Sequence, residues 1–335
     1  MSTQASNNQP TLDEIRDSAR VISLPLRTKF RGLLEREIMV FEGPHGYTEW
    51  SPFIEYDDAE ALAWLDAAIE FGWSELPPLQ RTSIGVNATL PAVAPDKVES
   101  ILARFGHFKT VKIKVAEVGQ TIDDDLVRVA EVCERYPHAK IRLDANGGYS
   151  LEMARAMATA MAEDEVPIEY FEQPVATVEE MAQLRMLISS IDIKIAADEN
   201  IRKAADPLAV ARAGAADILV LKAAPLGGIA RALDIAMQSQ LPAVVSSALD
   251  SSIGLSMGAH LAGALPQLNF DCGLGTASLL AGDVTANPLV ATDGRLEIRR
   301  VEVDRSRLDI FKADDHRADW WFDRLDRVMA LRESR

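Results

Sequence analysis

The apolar positions change rhythm once along this chain. Up to about residue 80 they fall in short alternating runs broken by turn-formers, whereas from Ser83 onward they come as solid apolar runs separated by stretches of helix length. Thr11, followed three residues later by Glu14, predicts a capping box that opens a short helix through roughly Ala19. Val21 to Leu26, Leu33 to Phe41 and Tyr47 to Trp50 are parted by Gly32 and by Gly43-Pro44, which predicts an antiparallel meander. A helix over Ala59 to Phe71 follows, so this part reads as a small α+β unit.

The second rhythm is strand, helix, strand, helix. SIGVNATL, VKIKVAE, KIRLDANG, IEYFEQP, KIAADEN, DILVLKAAP, PAVVSSALD and LNFDCGLG read as eight strands; the intervening helices include ones near Pro95 to Phe105, Asp123 to Arg135 and Leu151 to Met161. Strands this apolar suit a parallel sheet covered on both faces. Eight units over about 190 residues have the count and size of a TIM-type (β/α) barrel. An open doubly wound sheet competes, but no G-x-G-x-x-G follows the first strand. Beyond the barrel, Leu289 to Val303 with its Asp293-Gly294 turn predicts a hairpin. Asp315 to Arg335, with Trp320, Trp321 and Leu325, predicts an amphipathic helix. The expected division is residues 1–84 for an N-terminal extension and α+β capping unit, 85–288 for the barrel, and 289–335 for a segment packing back on the cap.

Composition narrows the function classes. A formal charge of −16 over 335 residues argues against a nucleic-acid or acidic-membrane partner, while leaving room for a local cationic pocket. Cys133 and Cys272 lie far apart in no paired pattern, so neither a disulfide framework nor a zinc knuckle is expected, and a reducing cytoplasm fits. The opening MSTQASNNQP is polar and lacks the features of a signal peptide, which predicts a disordered lead. No apolar run reaches membrane-spanning length.

The chemistry begins in TVKIKVAE. Lys112 and Lys114 are two apart on a strand and so share a face. Like charges this close, partly buried, lower each other's pKa, which is how a lysine becomes a base near neutral pH. In a barrel the active site lies at the C-terminal strand ends. There the third strand brings Arg142, Asp144 and Asn146 to one face, the fourth ends at Glu172, the fifth at Asp198-Glu199 and the sixth at Lys222. Three converging carboxylates repel one another unless a cation joins them. Oxygen ligands without His or Cys select a hard ion, Mg²⁺ first, with Mn²⁺ able to substitute. Strands two and six stand across a barrel, so Lys114 and Lys222 flank that ion. The reaction class this predicts is proton abstraction α to a carboxylate of a small-molecule substrate.

These motifs together resemble the enolase superfamily and, within it, the muconate-lactonising subgroup. The resemblance covers nearly the whole chain. It implies Lys114 as catalytic base, Lys112 as its pKa-tuning partner, Lys222 as the opposing lysine, and Asp144, Glu172 and Asp198 as metal ligands. Arg142, Asn146 and Glu199 would support those ligands. PLRTKFRG, YTEWSPF, RLDANGGYS, LKAAPLGG, SSALDSSIG and FDCGLGTASLL are most similar to the o-succinylbenzoate synthase family of menaquinone biosynthesis. That implies a lyase removing water from a succinyl-bearing cyclohexadiene carboxylate, with Ser246, Ser247 and the backbone around Gly273 as contacts for the succinyl carboxylate. Arg27, Lys29 and Arg31 in the first loop offer a cationic lid for a dianion.

Two other activities bear on the reading. Dipeptide epimerases of the subgroup carry Asp-x-Asp on the last strand, and Asp271-Cys272-Gly273 lacks the second acid. N-acylamino acid racemase, including action on N-succinylamino acids, stays open because it uses the same site. A barrel reduced to a non-catalytic binding protein is disfavoured by the intact lysines and acids. Oligomeric state is not legible.

Overall fold

The structure is a computed structural model describing residues 9–335; the polar lead at residues 1–8 lies outside the described residues. The capping box forms as expected: Thr11 and Glu14 exchange bonds at the start of the helix Leu12–Ser18. Strands β1 (Arg20–Phe30), β2 (Leu33–Gly43) and β3 (Gly46–Trp50) make an antiparallel meander. The helix Asp58–Trp73 packs on it, burying Trp64, Leu65 and Phe71. The C-terminal helix Asp315–Glu333 lies against the helix Asp58–Trp73 and against β1. Trp321 meets Trp50 edge to face at 5.4 Å and donates its indole N–H to Glu37 at 2.8 Å. Trp50, Phe53, Tyr56, Trp64 and Trp321 share one apolar cluster, so the two ends of the chain bury a common core.

The barrel strands are β5 (Ala88–Leu90), β6 (Thr110–Lys114), β7 (Lys140–Asp144), β8 (Ile168–Glu172), β9 (Ile195–Ala197), β10 (Ile218–Leu221) and β11 (Ala243–Val245), all parallel in sequence order. The eighth expected strand shrinks to Cys272 and Gly273, which bridge to both neighbours and close the ring. Cys272 N–H donates to Gly85 at 2.7 Å and Gly273 N–H to Val245 at 2.8 Å. One face of each strand packs outward onto the helices. The inward residues Tyr170, Ala196, Ile218, Val220 and Val244 fill the floor of the barrel.

Three further elements depart from expectation. SIGVNATL splits at Val86-Asn87: β4 (Ser83–Gly85) leaves the barrel and pairs antiparallel with β12 (Arg295–Glu297), and only β5 continues into it. For that reason the predicted hairpin does not form beyond its turn. Asp293 and Gly294 take left-handed φ of 50° and 70°, the geometry of a two-residue hairpin loop, but the outgoing arm pairs with β4 instead of residues 289–291. After β9, two four-residue helices, Glu199–Arg202 and Ala209–Arg212, replace one regular helix, with Pro207 between them. Among the described residues no helix is long and apolar enough to cross a membrane.

Glu49, at the end of β3, docks the meander on the barrel. Its carboxylate accepts from Ser251 N–H and Gly254 N–H at 3.2 and 3.1 Å, at the start of the helix Ser252–Ala264, and from the hydroxyls of Ser51 and Ser251. A negative group at a helix N-terminus is favourable. Burial and the neighbouring Asp250 push Glu49 up to about 7 against these donors.

Candidate active site

Lysines and acids from five strands meet at the C-terminal mouth of the barrel. Lys114, Asp144 and Glu172 end β6, β7 and β8 in one register, each paired with the next. Asp198 and Lys222 follow β9 and β10 directly. Lys112 Nζ lies 3.0 Å from Asp144 Oδ2 and 3.2 Å from both oxygens of Glu172. Lys114 Nζ contacts the same Asp144 oxygen at 2.6 Å and Asn146 Oδ1 at 2.7 Å. Lys222 Nζ sits 2.5 Å from Asp198 Oδ2. Asp144, Glu172 and Asp198 are almost wholly buried.

The electrostatics of these groups differ one from another. Burial favours a neutral Lys112, but Asp144 and Glu172 outweigh it and lift the ammonium well above the ordinary lysine value. Lys114 goes the other way: burial lowers it and the Lys112 charge adds to the effect, against the pull of Asp144. Burial would raise Asp144 and Asp198, yet the facing cations hold both below the carboxylate range, Lys112 and Lys114 for the first, Lys222 and Arg202 for the second. Glu172 is pushed up to about 7, chiefly by burial and then by Asp144, with Lys112 opposing.

A narrow cavity of about 30 Å³ opens above this ring. Lys112, Lys114, Asp144, Asn146 and Lys222 reach it, as do Ser246, Ser247 and Gly273. Ser247 Oγ donates to Gly273 O at 2.8 Å and shares a bond with Thr276 Oγ1 at 2.9 Å, so the succinyl-contact candidates form one hydroxyl-lined wall. Of the expected cationic lid only Arg31 borders the cavity. Arg27 is turned away because its Nε is satisfied by Leu280 O at 2.9 Å, and nothing places Lys29 at the site.

Arg142 is not beside the acids. It points inward, but one layer deeper than Asp144, because each two-residue step along a strand descends the barrel by about 7 Å. There it stacks on Tyr170 at 4.7 Å and donates to Asn87 Oδ1 and Asp271 O at 2.9 and 2.7 Å. Asn146 and Glu199 do stand around the ring: Asn146 Nδ2 donates to Glu199 Oε1 at 3.2 Å. Glu172 and Asp198 do not border the cavity, since Lys112 and Lys222 lie over them.

Several contributors have weak sequence signals. Thr89, Phe30, Leu249 and Thr276 line the cavity. Gln173 Oε1 accepts from Asp198 N–H at 3.1 Å and Asn200 N–H at 3.2 Å, fixing the end of β9 from the end of β8. Behind Lys114, the wholly buried pair Asp125 and Arg128 grips the strand exit. Arg128 Nη1 donates to Lys114 O at 3.0 Å, and Asp125 Oδ2 accepts from Ala116 N–H at 2.9 Å and from the Tyr149 hydroxyl. Ala116 adopts a left-handed φ of 59°.

Residues 94–302 match the Enolase C-terminal domain-like family and residues 21–78 the Enolase N-terminal domain-like family. The o-succinylbenzoate synthase of Mycolicibacterium smegmatis is 48% identical, over 97% of this chain and 99% of its own length. The chain belongs to the o-succinylbenzoate synthase family of the enolase superfamily. The o-succinylbenzoate synthase of Mycobacterium ulcerans is 49% identical over 94% of each chain. In fold, this family member superposes on muconate lactonizing enzyme from Pseudomonas fluorescens with a TM-score of 0.75. That match covers 88% of this chain and 98% of the other at 20% identity. The capped barrel is therefore the enolase-superfamily architecture.

Proposed function

We propose that the protein is a lyase that removes water from 2-succinyl-6-hydroxy-2,4-cyclohexadiene-1-carboxylate to give o-succinylbenzoate, in menaquinone biosynthesis. What carries this reading is the 48–49% identity to named o-succinylbenzoate synthases over 94% or more of the chain. The division into a cap, residues 1–84 with 289–335, and a barrel, residues 85–288, belongs to the same proposal.

Lys114 acts as the base. Burial and the neighbouring Lys112 shift its pKa downward, the direction a base requires, and it enters the cavity beside Asp144. It takes the proton α to the ring carboxylate, and the electron pair of the broken C–H bond moves into the carboxylate as an enediolate. The same nitrogen, now an ammonium, returns that proton to the departing hydroxyl as the C–O bond breaks. Water leaves, the ring becomes aromatic and Lys114 is neutral again. Lys222, on the far wall, is a fixed cation toward the enediolate face. Ser246, Ser247 and Gly273 would receive the succinyl carboxylate.

Among the described residues no three His, Cys, Asp or Glu side chains stand as a ready metal-binding group. Asp144, Glu172 and Asp198 are turned onto lysines instead. Their chemistry nevertheless fits a hard divalent ion: three buried carboxylates without His or Cys, one of them, Glu172, pushed up to about 7 by burial and its acidic neighbours. These three would hold Mg²⁺, or Mn²⁺ in its place. Once bound, the ion supplies positive charge that acidifies the α-proton and stabilises the enediolate.

A second reading is favoured by one observation: Lys114 and Lys222 border one cavity from strands on opposite sides of the barrel. Two lysines so placed can remove a proton from one face and return one to the other, which racemises an N-succinylamino acid. Incubation with each substrate, comparing rates, separates the readings. Dehydration is expected to be the faster reaction; faster racemisation reverses the assignment.

A further inference from the structure

Arg202 joins the site to the cap. It lies at the end of the helix Glu199–Arg202, with only 4% of its side chain exposed. Its Nε stands 3.2 Å from Asp198 Oδ1, its Nη2 2.5 Å from Glu199 Oε1, and its Nη1 donates to the Tyr56 hydroxyl at 3.1 Å. All three nitrogens of the guanidinium are therefore engaged, each in a different direction. Tyr56 is buried in the aromatic cluster of the cap, packed edge to face on Phe53 at 5.4 Å. Its carbonyl accepts from Arg324 of the C-terminal helix at 2.6 Å. One line of contacts thus runs from Arg324 through Tyr56 and Arg202 to Asp198.

The two oxygens of Asp198 have separate partners, Oδ1 on Arg202 and Oδ2 on Lys222. A carboxylate held at one oxygen by the Nε of a guanidinium whose other two nitrogens are themselves anchored has its rotation restricted, leaving the other oxygen to face the ring. A lysine cannot do this: its ammonium is a single point of charge on a flexible stem. A buried ion pair is a weak source of stability, since desolvation offsets most of the attraction. Orientation is the property this arrangement supplies that a packed apolar group could not.

We propose that Arg202, fixed by the Tyr56 hydroxyl, is a positioning residue that sets the orientation of Asp198 and so makes the barrel site depend on the docked cap. This rests on the reading of Asp198 as a cation ligand. Charge and orientation make opposite forecasts. As a charge alone, Arg202 repels an incoming cation, so removing it tightens binding, and a lysine in its place leaves binding unchanged. As a fork, its loss frees Asp198 to turn, and both substitutions weaken binding.

The test is a calorimetric titration of Mn²⁺ into the metal-free full chain, without substrate, for wild type, Arg202→Met, Arg202→Lys, Tyr56→Phe and Asp198→Asn. Arg202→Met and Arg202→Lys are expected to weaken Mn²⁺ roughly 10- to 100-fold, the usual effect of losing a residue that orients a metal ligand. Tyr56→Phe, which deletes one hydroxyl from an otherwise intact cluster, is expected to weaken it several-fold and to lower kcat more than it changes KM. Wild-type or tighter affinity in both Arg202 variants overturns the proposal if Asp198→Asn weakens binding. Wild-type affinity in Asp198→Asn overturns the ligand reading itself, and this proposal with it. If Arg202→Met loses its near-ultraviolet circular dichroism, Tyr56→Phe decides: unchanged Mn²⁺ affinity there overturns the coupling to the cap.

Discussion

Lys112 and Lys114 converge on a single atom, Oδ2 of Asp144, at 3.0 and 2.6 Å. Lys112 has Glu172 as well, so its charge is compensated twice, whereas the second partner of Lys114 is the neutral amide of Asn146. The strand places both ammonium groups on one face, and the neighbouring acids then make them unequal. The proposed role of Lys114 in proton transfer rests on that inequality.

Replacing Lys114 by Ala should cut dehydration by at least about 10³-fold, within the span ascribed to a positioned acid–base group. The fold should persist, because Lys114 is the least buried member of the ring; far-ultraviolet circular dichroism checks this. Lys222→Ala should also be severe. Wild-type turnover by Lys114→Ala would remove that residue from the chemistry.

Treatment with EDTA should abolish turnover, and added Mg²⁺ or Mn²⁺ should restore it. Asp198→Asn should weaken the ion by roughly ten-fold or more, since a coordinating anion becomes a neutral amide. Activity untouched by EDTA would exclude the metal-dependent reading.

Glu49 predicts a pH dependence of stability. Its native value of about 7 exceeds the unfolded 4.5, so between these the folded chain holds a proton that the unfolded chain has released. The associated stability is complete below about 4.5 and is lost as pH rises through 7. Asp250, also raised by burial, acts in the same sense, and Arg36 opposes both. Relative to Glu49→Gln, wild type should lose on the order of 3 kcal/mol between pH 4.5 and 8, read from urea unfolding. A flat difference between the two would show that Glu49 does not titrate in this range.

A methyl group on residue 273 would collide with Ser246 Oγ and lie 3.1 Å from its Cβ. Gly273→Ala should therefore cost about 1–3 kcal/mol by overpacking. It should also raise KM for the succinyl substrate several-fold as Ser246 is displaced. An unchanged KM would take this wall away from the succinyl group.

The barrel and its ring of charges were legible because one physical rule covers them: a polar residue inside an apolar strand needs a reason. Lys112, Lys114, Asp144, Glu172 and Lys222 all obey it. Asn87 and Thr89 obey it too, two apart in SIGVNATL, and the same reading would have found them; Asn87 holds Arg142 and Thr89 lines the cavity. What the rule does not give is depth. Arg142 and Asp144 share a face, yet one props the floor and the other meets the cavity. Residues such as Arg202, Gln173 and Leu249 lie beyond strand ends, where periodicity stops. The loops that carry Arg202 and Leu249 are held by the N-terminal unit, at Tyr56 and at Arg36. The hairpin failed for a related reason, since a turn fixes its own two residues but not the partner of the strand that leaves it.

The amide of Ala116 gives the strand exit a reporter of its own. It sits outside any strand or helix, where amides ordinarily exchange with solvent quickly, but its hydrogen is committed to the wholly buried carboxylate of Asp125. Its deuterium uptake should therefore be slow and should follow the lifting of the helix Ile122–Arg135 from the barrel wall. A single exchange rate would then time how often the backbone beneath Lys114 comes loose.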